Sequence, residues 1–580
     1  MRTHYARPLF FSLLVSSLSC AACCFAQAPL EPAQLPARTT FYVIWRGTPS
    51  GDVRKGNALL SLWDDPDSAP MRSALVESLL SESQKQKNNS KLSPAELAQY
   101  ASLLDNPFVV GYLPHPDSAA PAKPAKSDSS KLAPAWNGLF FVYDRSGKEE
   151  LLTKTILRLR AADAQIPKLT PLTVAGVSAL KIERKSGVNY WAETGKFAVS
   201  ASELPVFEEI LNRLAGKGDS SSLAQSAAYQ EAKPLLATGL LEFFLRVPEI
   251  KTFAPSTDTS APQVRAMFNA LKLDSVHVLA GHLSFEGSRT RLQGAVLGDT
   301  TAGSLFDIWP EGQANPASLS FLTPDTVTLN DTQINFLGIY ETLKRALSQA
   351  GPDAAKSTAP METMIQTRLG MPLIDALALT TGEIASFQSS PTLDDTKQIF
   401  LLGIRNKPEA LKLLRTIFSD QITSERNEGS ATYLKISLRG GQSSAGLAQW
   451  SFYYLAMTPD FLLGATKSDT LRAALAQQSA HTPSSIPQNF LAARKQFPEK
   501  LNGFSYYDME KLDWPAVKEK WIAEANKSSK AKTAGNSQAL PKQSDWLDSV
   551  NPAVFSRHLH SVIGASWKDA KGVHFDEWLD

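Results

Sequence analysis

Cysteine is nearly missing from this sequence: three occur in 580 residues, and Cys20, Cys23 and Cys24 all fall at the very start. Disulfides, a thiol nucleophile and thiolate metal sites are therefore excluded from everything after Cys24. Charge of one sign is missing too. Lys and Arg number 59 against 57 Asp and Glu, and the first 26 residues hold Arg2 and Arg7 but no acid, so the remainder is formally neutral. A neutral chain lacks the clustered cations that displace counterions from nucleic acid, and DNA or RNA partners are set aside. After the first 26 residues no apolar run approaches the 18 or so residues of a membrane span. Cofactor and calcium motifs are missing as well: the sequence has no G-x-G-x-x-G, P-loop, H-E-x-x-H or EF-hand loop. No cofactor and no metal are expected.

The start itself reads as an export signal. Arg2 and Arg7 form a basic region, Leu9 to Leu18 an apolar one, and small residues run to Ala26, which places cleavage after residue 26. A lipid anchor is the alternative, with Cys23 behind Ala21 and Ala22, although Cys20 stands where a lipobox usually has Leu. Export without disulfides points to a bacterial envelope or secreted protein, periplasmic or released. The sequons at Asn88, Asn330 and Asn526 then carry no meaning.

The remaining chain matches itself. Tyr190, Ala192, Thr194, Phe197 and Ala201 coincide with Tyr454, Ala456, Thr458, Phe461 and Ala465 at an offset of 264. Phe140, Arg145, Glu149 and Leu151 coincide with Phe400, Arg405, Glu409 and Leu411 at 260, and His277 and Gly281 with His560 and Gly564 at 283. Residues 107–112 pair with 382–387 at 275. Where the offset changes there are loop-like insertions: a tether at 115–136 rich in Pro, Ala, Ser and Lys, and a polar tract at 525–545. The organisation expected is two tandem, internally duplicated halves, 27–313 and 314–580.

Each half opens on a Pro-containing strand, Leu35 to Trp45 and Leu322 to Leu329. Met71, Leu75, Leu79 and Leu80 then recur at helical spacing, and Ser93, Pro94 and Glu96 form a capping box ahead of Leu97, Tyr100, Leu103 and Leu104. Short strands of β-branched and aromatic residues follow, such as Leu139 to Tyr143 and Phe197 to Ala201. Each half closes on a hairpin, Val276 to Phe285 with Arg289 to Leu297, and Leu559 to Trp567 with Gly572 to Leu579. Strand runs punctuated by helices, without β-α-β alternation, indicate an α+β fold with antiparallel sheets and amphipathic cover helices.

The Leu-Pro opening, the segment Gly382 to Ala385 and the Tyr-x-Ala turn before a Leu-rich helix resemble an uncharacterised exported bacterial family, a domain of unknown function built from tandem α+β repeats. The resemblance covers most of the chain and implies no catalytic residues. Pro107 and Phe108 stand in the first half where the second has Gly382 and Glu383.

Chemistry is sparse. His558 and His560 would share a strand face and could begin a zinc site. With a turn near 568–571, however, His574 would oppose Ala565, too far along the strand to join them with Asp576, and Ser275 replaces the first histidine beside His277. Glu383 follows a glycine at a strand start, where a partly buried carboxylate could act as acid or base; Asp375 is a second such acid. The doublets Asp64-Asp65, Glu149-Glu150, Glu208-Glu209 and Asp394-Asp395 suit helix starts or loops. Gly440 to Gly446 lacks nucleophile-elbow spacing, Ser529 to Lys532 lacks the companions of a Ser-Lys site, and Trp191 reads as core or interface. Catalytic residues are thus unassigned. The leading expectation is a non-catalytic binding or scaffold protein of the cell envelope, taking an apolar ligand, an envelope component or a protein partner. The alternative is a hydrolase whose site is dispersed in sequence.

Overall fold

The computed structural model describes residues 28–49, 51–74, 99, 102–114, 138–154, 168–184, 187–218, 221–236, 239–249, 268–269, 271–301, 303–314, 316–349, 352–394, 397–437, 454–480, 486–533 and 545–580. The leader, the tether at 115–136, the stretch 75–96 and Gly440 to Gly446 lie outside the described residues, as does 534–544 of the polar tract.

Ten strands precede the midpoint: β1 Phe41–Trp45, β2 Phe108–Tyr112, β3 Leu139–Asp144, β4 Lys168–Val174, β5 Val177–Arg184, β6 Gly187–Thr194, β7 Phe197–Ala201, β8 Leu241–Arg246, β9 Val276–Glu286 and β10 Arg289–Gly298. Ten follow: β11 Thr328–Gln333, β12 Thr380–Gln388, β13 Ile399–Ile404, β14 Ile422–Glu428, β15 Ala431–Ile436, β16 Tyr454–Met457, β17 Phe461–Ala465, β18 Gly503–Asp508, β19 Ser561–Asp569 and β20 Gly572–Leu579. All twenty join one antiparallel sheet. Its order is β4-β5-β6-β7-β3-β2-β1-β8-β9-β10-β20-β19-β18-β11-β12-β13-β17-β16-β15-β14. The first ten strands therefore pair among themselves in the same order as the second ten, and β10 meets β20 in the middle. With helices packed against an antiparallel sheet, the fold is α+β.

Register refines the self-match. Tyr190 pairs with Ala201 and Tyr454 with Ala465, so positions 264 apart hold the same place in β6–β7 and β16–β17. Gly281 pairs with Gly294 and Gly564 with Glu577, which keeps 283 through both closing hairpins. Between these, the sequence pairing slips by one. Trp45 opposes Phe108 and Thr332 opposes Ile384, which equates Phe108 with Ile384 and Pro107 with Glu383, because β12 carries an irregularity between Thr380 and Ile384. The opening strands are also shorter than expected. β11 starts at Thr328 because Thr323 and Thr326 close a turn around Pro324, with Thr326 N donating to Thr323 O at 3.0 Å and Thr323 N to Thr326 Oγ1 at 2.9 Å. At the first opening Thr39 N donates to Pro36 O at 3.0 Å, and β1 waits until Phe41.

Paired residues on adjacent strands point to one side, so the register divides the sheet into two faces. The core face bears Tyr42, Ile44, Val142 and Phe244 in the first half, under the helices Leu204–Leu214 and Ala227–Ala232. Pro205 starts the longer helix at a position where no N–H is needed, and Val206, Phe207, Ile210 and Leu211 recur on one side and are buried. In the second half the same face bears Leu329, Leu401, Leu463 and Tyr506 under Ser468–Ser479 and Gln488–Arg494. Within the first core Arg46 donates to both Glu31 carboxylate oxygens and, at 2.9 Å, to Glu242 Oε1. Burial pushes the Glu242 carboxyl up to about 7 against the pull of Arg46.

The outer face is covered in patches. One apolar cluster there draws on both halves: Trp45, Leu59, Leu60 and Leu283 pack with Met509, Trp514, Phe555 and Val562, and the Trp514 and Phe555 ring centres lie 4.9 Å apart. Beside it is a polar latch. Asp65 Oδ2 accepts from Arg557 Nη2 at 2.9 Å and faces His558 Nε2 at 2.9 Å, while Asp67 Oδ2 accepts from Arg557 at 2.7 Å and from Asn551 Nδ2 at 3.0 Å. The His558 contact, the Asp67 backbone N–H and Arg557 together hold Asp65 down at about 2. A depressed carboxyl stabilises the fold above its unfolded pKa of about 3.8 and loses that contribution as pH falls toward 2. Thermal midpoints recorded from pH 5 to pH 2 are expected to fall less steeply in Asp65→Asn than in the wild type.

Candidate functional site

The histidines do not gather. Pro552 opens a short helix, Ala553–His558, closed by Leu559 N donating to Phe555 O at 2.8 Å, so His558 ends a helix instead of lying on a strand. It is turned toward Asp65 in the latch, whereas His560, just ahead of β19, faces Glu510 Oε1 at 2.9 Å. The closing turn spans Asp569 to Gly572, where Asp569 Oδ1 accepts from Lys571 N at 2.7 Å and Gly572 N at 3.1 Å. His574 therefore opposes Trp567, two residues from the expected Ala565, and stacks on that indole at 5.3 Å. Asp576 opposes Ala565 and is buried, held by Arg291 at 2.9 and 2.6 Å and by Trp578 Nε1 at 2.7 Å. His277 is exposed and lies 3.4 Å from Glu231, and Ser275 Oγ donates to Lys272 O at 2.7 Å.

Of the acid doublets, Glu149 and Glu150 open a helix and Asp394 lies in a loop, but Asp64 ends the helix Ala58–Asp64 with Asp65 as its C-cap, and Glu208 and Glu209 lie within Leu204–Leu214. Asp64 pairs with Arg54, Glu150 with Lys154, and Glu209 with Arg38; Glu149 Oε1 accepts from Gly147 N at 3.2 Å, and Glu208 is exposed on the same helix as Glu209. Asp394 N donates to Ser390 Oγ at 3.3 Å, while Asp395 lies outside the described residues. Asp375 is exposed in the first turn of Leu373–Ala378. Ser529 and Lys532 fall within the helix Trp514–Thr533, and Trp191 packs against Tyr143, Leu152 and Ala198.

Glu383 has a partner that the sequence did not disclose. On the core face, Asn502, Gln333 and Glu383 lie side by side across β18, β11 and β12, and Asp331 stands one step along β11. All four are buried, together with Ser318 from the 3-10 turn Ala317–Phe321. Ser318 Oγ donates to Asp331 Oδ2 at 2.6 Å and Ser318 N to Glu383 Oε1 at 2.8 Å. Gln333 Oε1 accepts from Gln313 at 3.3 Å and Asn502 Nδ2 donates to Pro310 O at 2.6 Å. A sequence signal was present: Thr328, Asn330, Asp331 and Thr332 are polar where the matching strand reads Phe41, Val43, Ile44 and Trp45.

The outer side of the same strands carries an open trough of about 350 Å³. Its lining comes from two transverse rows, Asn330, Ser505, Gly564 and Glu577, then Thr332, Gly503, Ser566 and Phe575. Two floor positions are glycine and two are serine. A Cβ at Gly564 would come to 2.6 Å from Ser505 Oγ, and one at Gly503 to 2.8 Å from Asp331 O, which shows how closely the floor is packed. Asn330 Oδ1 accepts from Tyr507 OH at 2.9 Å, fixing the amide at the rim. The rows continue across β20 and β10 into the first half, where chemistry changes: Gly294, Gly281, Phe243, Val43, Val110 and Phe141 succeed Phe575. Phe243, Val43, Val110 and Phe141 are half-buried, and Phe141 stacks with Tyr143 at 6.2 Å. Register equates Phe243 with Ser505 and Val43 with Asn330.

No protein-family model, no curated protein and no solved structure matches the chain.

Proposed function

We propose that the protein is a non-catalytic, exported binding protein whose ligand is an amphiphilic component of the bacterial envelope. The observation carrying this reading is the register of the outer face, along which the trough's hydroxyl, amide and carboxylate groups in the second half run into a row of aromatic and aliphatic side chains in the first. A head group rich in hydrogen-bonding atoms would enter the trough among Asn330, Thr332, Ser505, Ser566 and Glu577, and an apolar tail would lie over Phe243, Val43, Val110 and Phe141. The leader at 1–26 supports the envelope setting. The shared strand order and matched registers support two halves copied from one ancestor, with the divide near 313 in the segment joining β10 to β11, and along this outer row the copies differ in chemistry. The hydrolase alternative fares worse. The buried acids Asp144, Glu242, Asp508 and Asp576 each meet a cation, and Asp331 and Glu383 face away from the trough.

Native mass spectrometry of the protein purified from an envelope fraction is expected to show a bound amphiphile. Ser505→Phe, which installs the residue found at the matching place in the first half, is expected to reduce the occupied fraction at least about tenfold, a difference of about 1.4 kcal/mol. Ser505→Ala should retain it. Equal occupancy in all three proteins, or a wild type that stays unliganded after incubation with envelope lipid extract, would sink the reading.

A further inference from the structure

The binding reading leaves the Asp331 and Glu383 pair without a role, and the surroundings of the pair give it one. Asp331 is 5% and Glu383 3% exposed, and one residue holds both carboxyls, the Ser318 hydroxyl donating to Asp331 Oδ2 at 2.6 Å and its N–H to Glu383 Oε1 at 2.8 Å. Two buried carboxyls brought this close without a cation cannot both ionise readily, so one of them keeps its proton. Groups facing them from each neighbouring element are uncharged: Gln333 on β11, Thr381 on β12, Leu401 and Gly403 on β13, Asn502 on β18, and Ser318 with Gln313 from the segment joining the halves. Neither acid has an ion-pair partner among the described residues. Gln333 is directly opposite Glu383, yet its buried Nε2 donates to neither acid, and Asp331 Oδ1 and Asn502 Oδ1 are also unpartnered. A buried pair carrying two full charges would draw in every donor within reach. A pair sharing one proton carries a single charge, and the two donors of Ser318 suffice for it.

We propose that Asp331 and Glu383 form a proton-bound carboxyl pair that clamps the segment joining the two halves onto the second half through Ser318, and that loss of the proton loosens this clamp. Clamping follows from the geometry: one serine, fully buried, is gripped by both acids at once, through its hydroxyl and through its backbone N–H. Once the proton leaves, two like charges held on one serine repel across a site with no cation among the described residues to offset them. Burial, reinforced by the charge of Glu383, lifts Asp331 to about 8. The sign follows. A carboxyl raised above its unfolded pKa of 3.8 gives stability that is complete in acid and drains away as pH rises toward 8. This response is opposite to that of Asp65 in the latch, and the two are separable by pH.

The test uses the full chain. Infrared difference spectra of the wild type minus Asp331→Asn at pH 6, in which the Glu242 signal cancels, are expected to show a protonated-carboxyl stretch that is absent at pH 10. Hydrogen exchange read at Ser318 should show its protection factor falling about tenfold or more between pH 6 and pH 9 in the wild type, and staying constant within about twofold in Asp331→Asn, whose amide donates to Glu383 at any pH. Glu383→Gln serves as a second variant with the same expectation. Glu383→Gln supplies an independent difference spectrum, so one variant that does not fold leaves the question decidable. No protonated-carboxyl band in the difference spectra at pH 6, or an Asp331→Asn protein that keeps the wild-type pH dependence at Ser318, overturns the proposal.

Discussion

Replacing Arg46 by alanine is expected to lower the unfolding free energy by about 3–5 kcal/mol, the usual cost of removing one partner from a buried ion pair. Arg46 is the only cation paired with Glu242 among the described residues, and that carboxylate is 3% exposed. Glu31, on the segment leading into β1, loses both its bonds to the guanidinium as well. The damage should reach further than the ion pair, because the Arg46 guanidinium also donates to Gly239 O at 3.1 Å, just ahead of β8. Arg46→Lys is the informative companion. A single ammonium cannot repeat three directions of bonding, so lysine should recover only part of the loss. Equilibrium denaturation with urea measures both, and an Arg46→Ala protein within about 1 kcal/mol of wild type would show that the network contributes little to the first core.

The second large effect is expected at the seam. Gly572 opens β20 opposite Leu297, with φ at +153°, a region that residues with a Cβ rarely enter. A Cβ there would overlap the carbonyl oxygen of Val296 and approach the Leu297 Cα to 2.9 Å, both parts of β10 backbone that cannot rotate away. Gly572→Val should therefore combine backbone strain of about 1–3 kcal/mol with overpacking of about 1–3 kcal/mol. The cost falls on the β10–β20 ladder, the strand pairing that joins the two halves among the described residues. Amide exchange should accelerate along β10 and β20 while β1 to β3 and β12 to β13 keep their protection. Uniform acceleration across all strands would instead mean that the halves unfold as one unit and that the seam has no independent stability.

How much of this was readable beforehand depended on what each feature needs. Strands such as Phe197–Ala201 and hairpins such as Val276–Glu286 with Arg289–Gly298 are local, set by β-branched residues and the glycine at the turn, and the sequence placed them to within a residue. The closing histidines were misplaced because Pro552 and Leu559 frame a helical turn of only six residues, too short for any apolar period to reveal. Glu383 was singled out from its glycine neighbour, but Asp331 lies 52 residues earlier in the chain, and only strand pairing brings the two together. Comparing the two halves position by position would have exposed it. Asp331 falls where Ile44 stands, and a charge at a site that is aliphatic in the counterpart signals a change of role. The single sheet was not legible at all, since the β10–β20 pairing joins Gln293 to Asp576 across 283 residues and no local pattern encodes it.

That pairing imposes an order on assembly. β20 is the last of the twenty strands along the chain, yet it takes a central position, between β10 and β19. A chain emerging from the ribosome can complete nine of the ten early pairings while the free side of β10 waits, its hydrogen-bonding groups exposed and its aromatic neighbours Phe243 and Phe285 close by. An open strand edge of that kind invites pairing with a second chain. A holding chaperone that recognises unpaired strands would protect this protein in the interval before β20 arrives, and any slow step in making the second half would lengthen that interval.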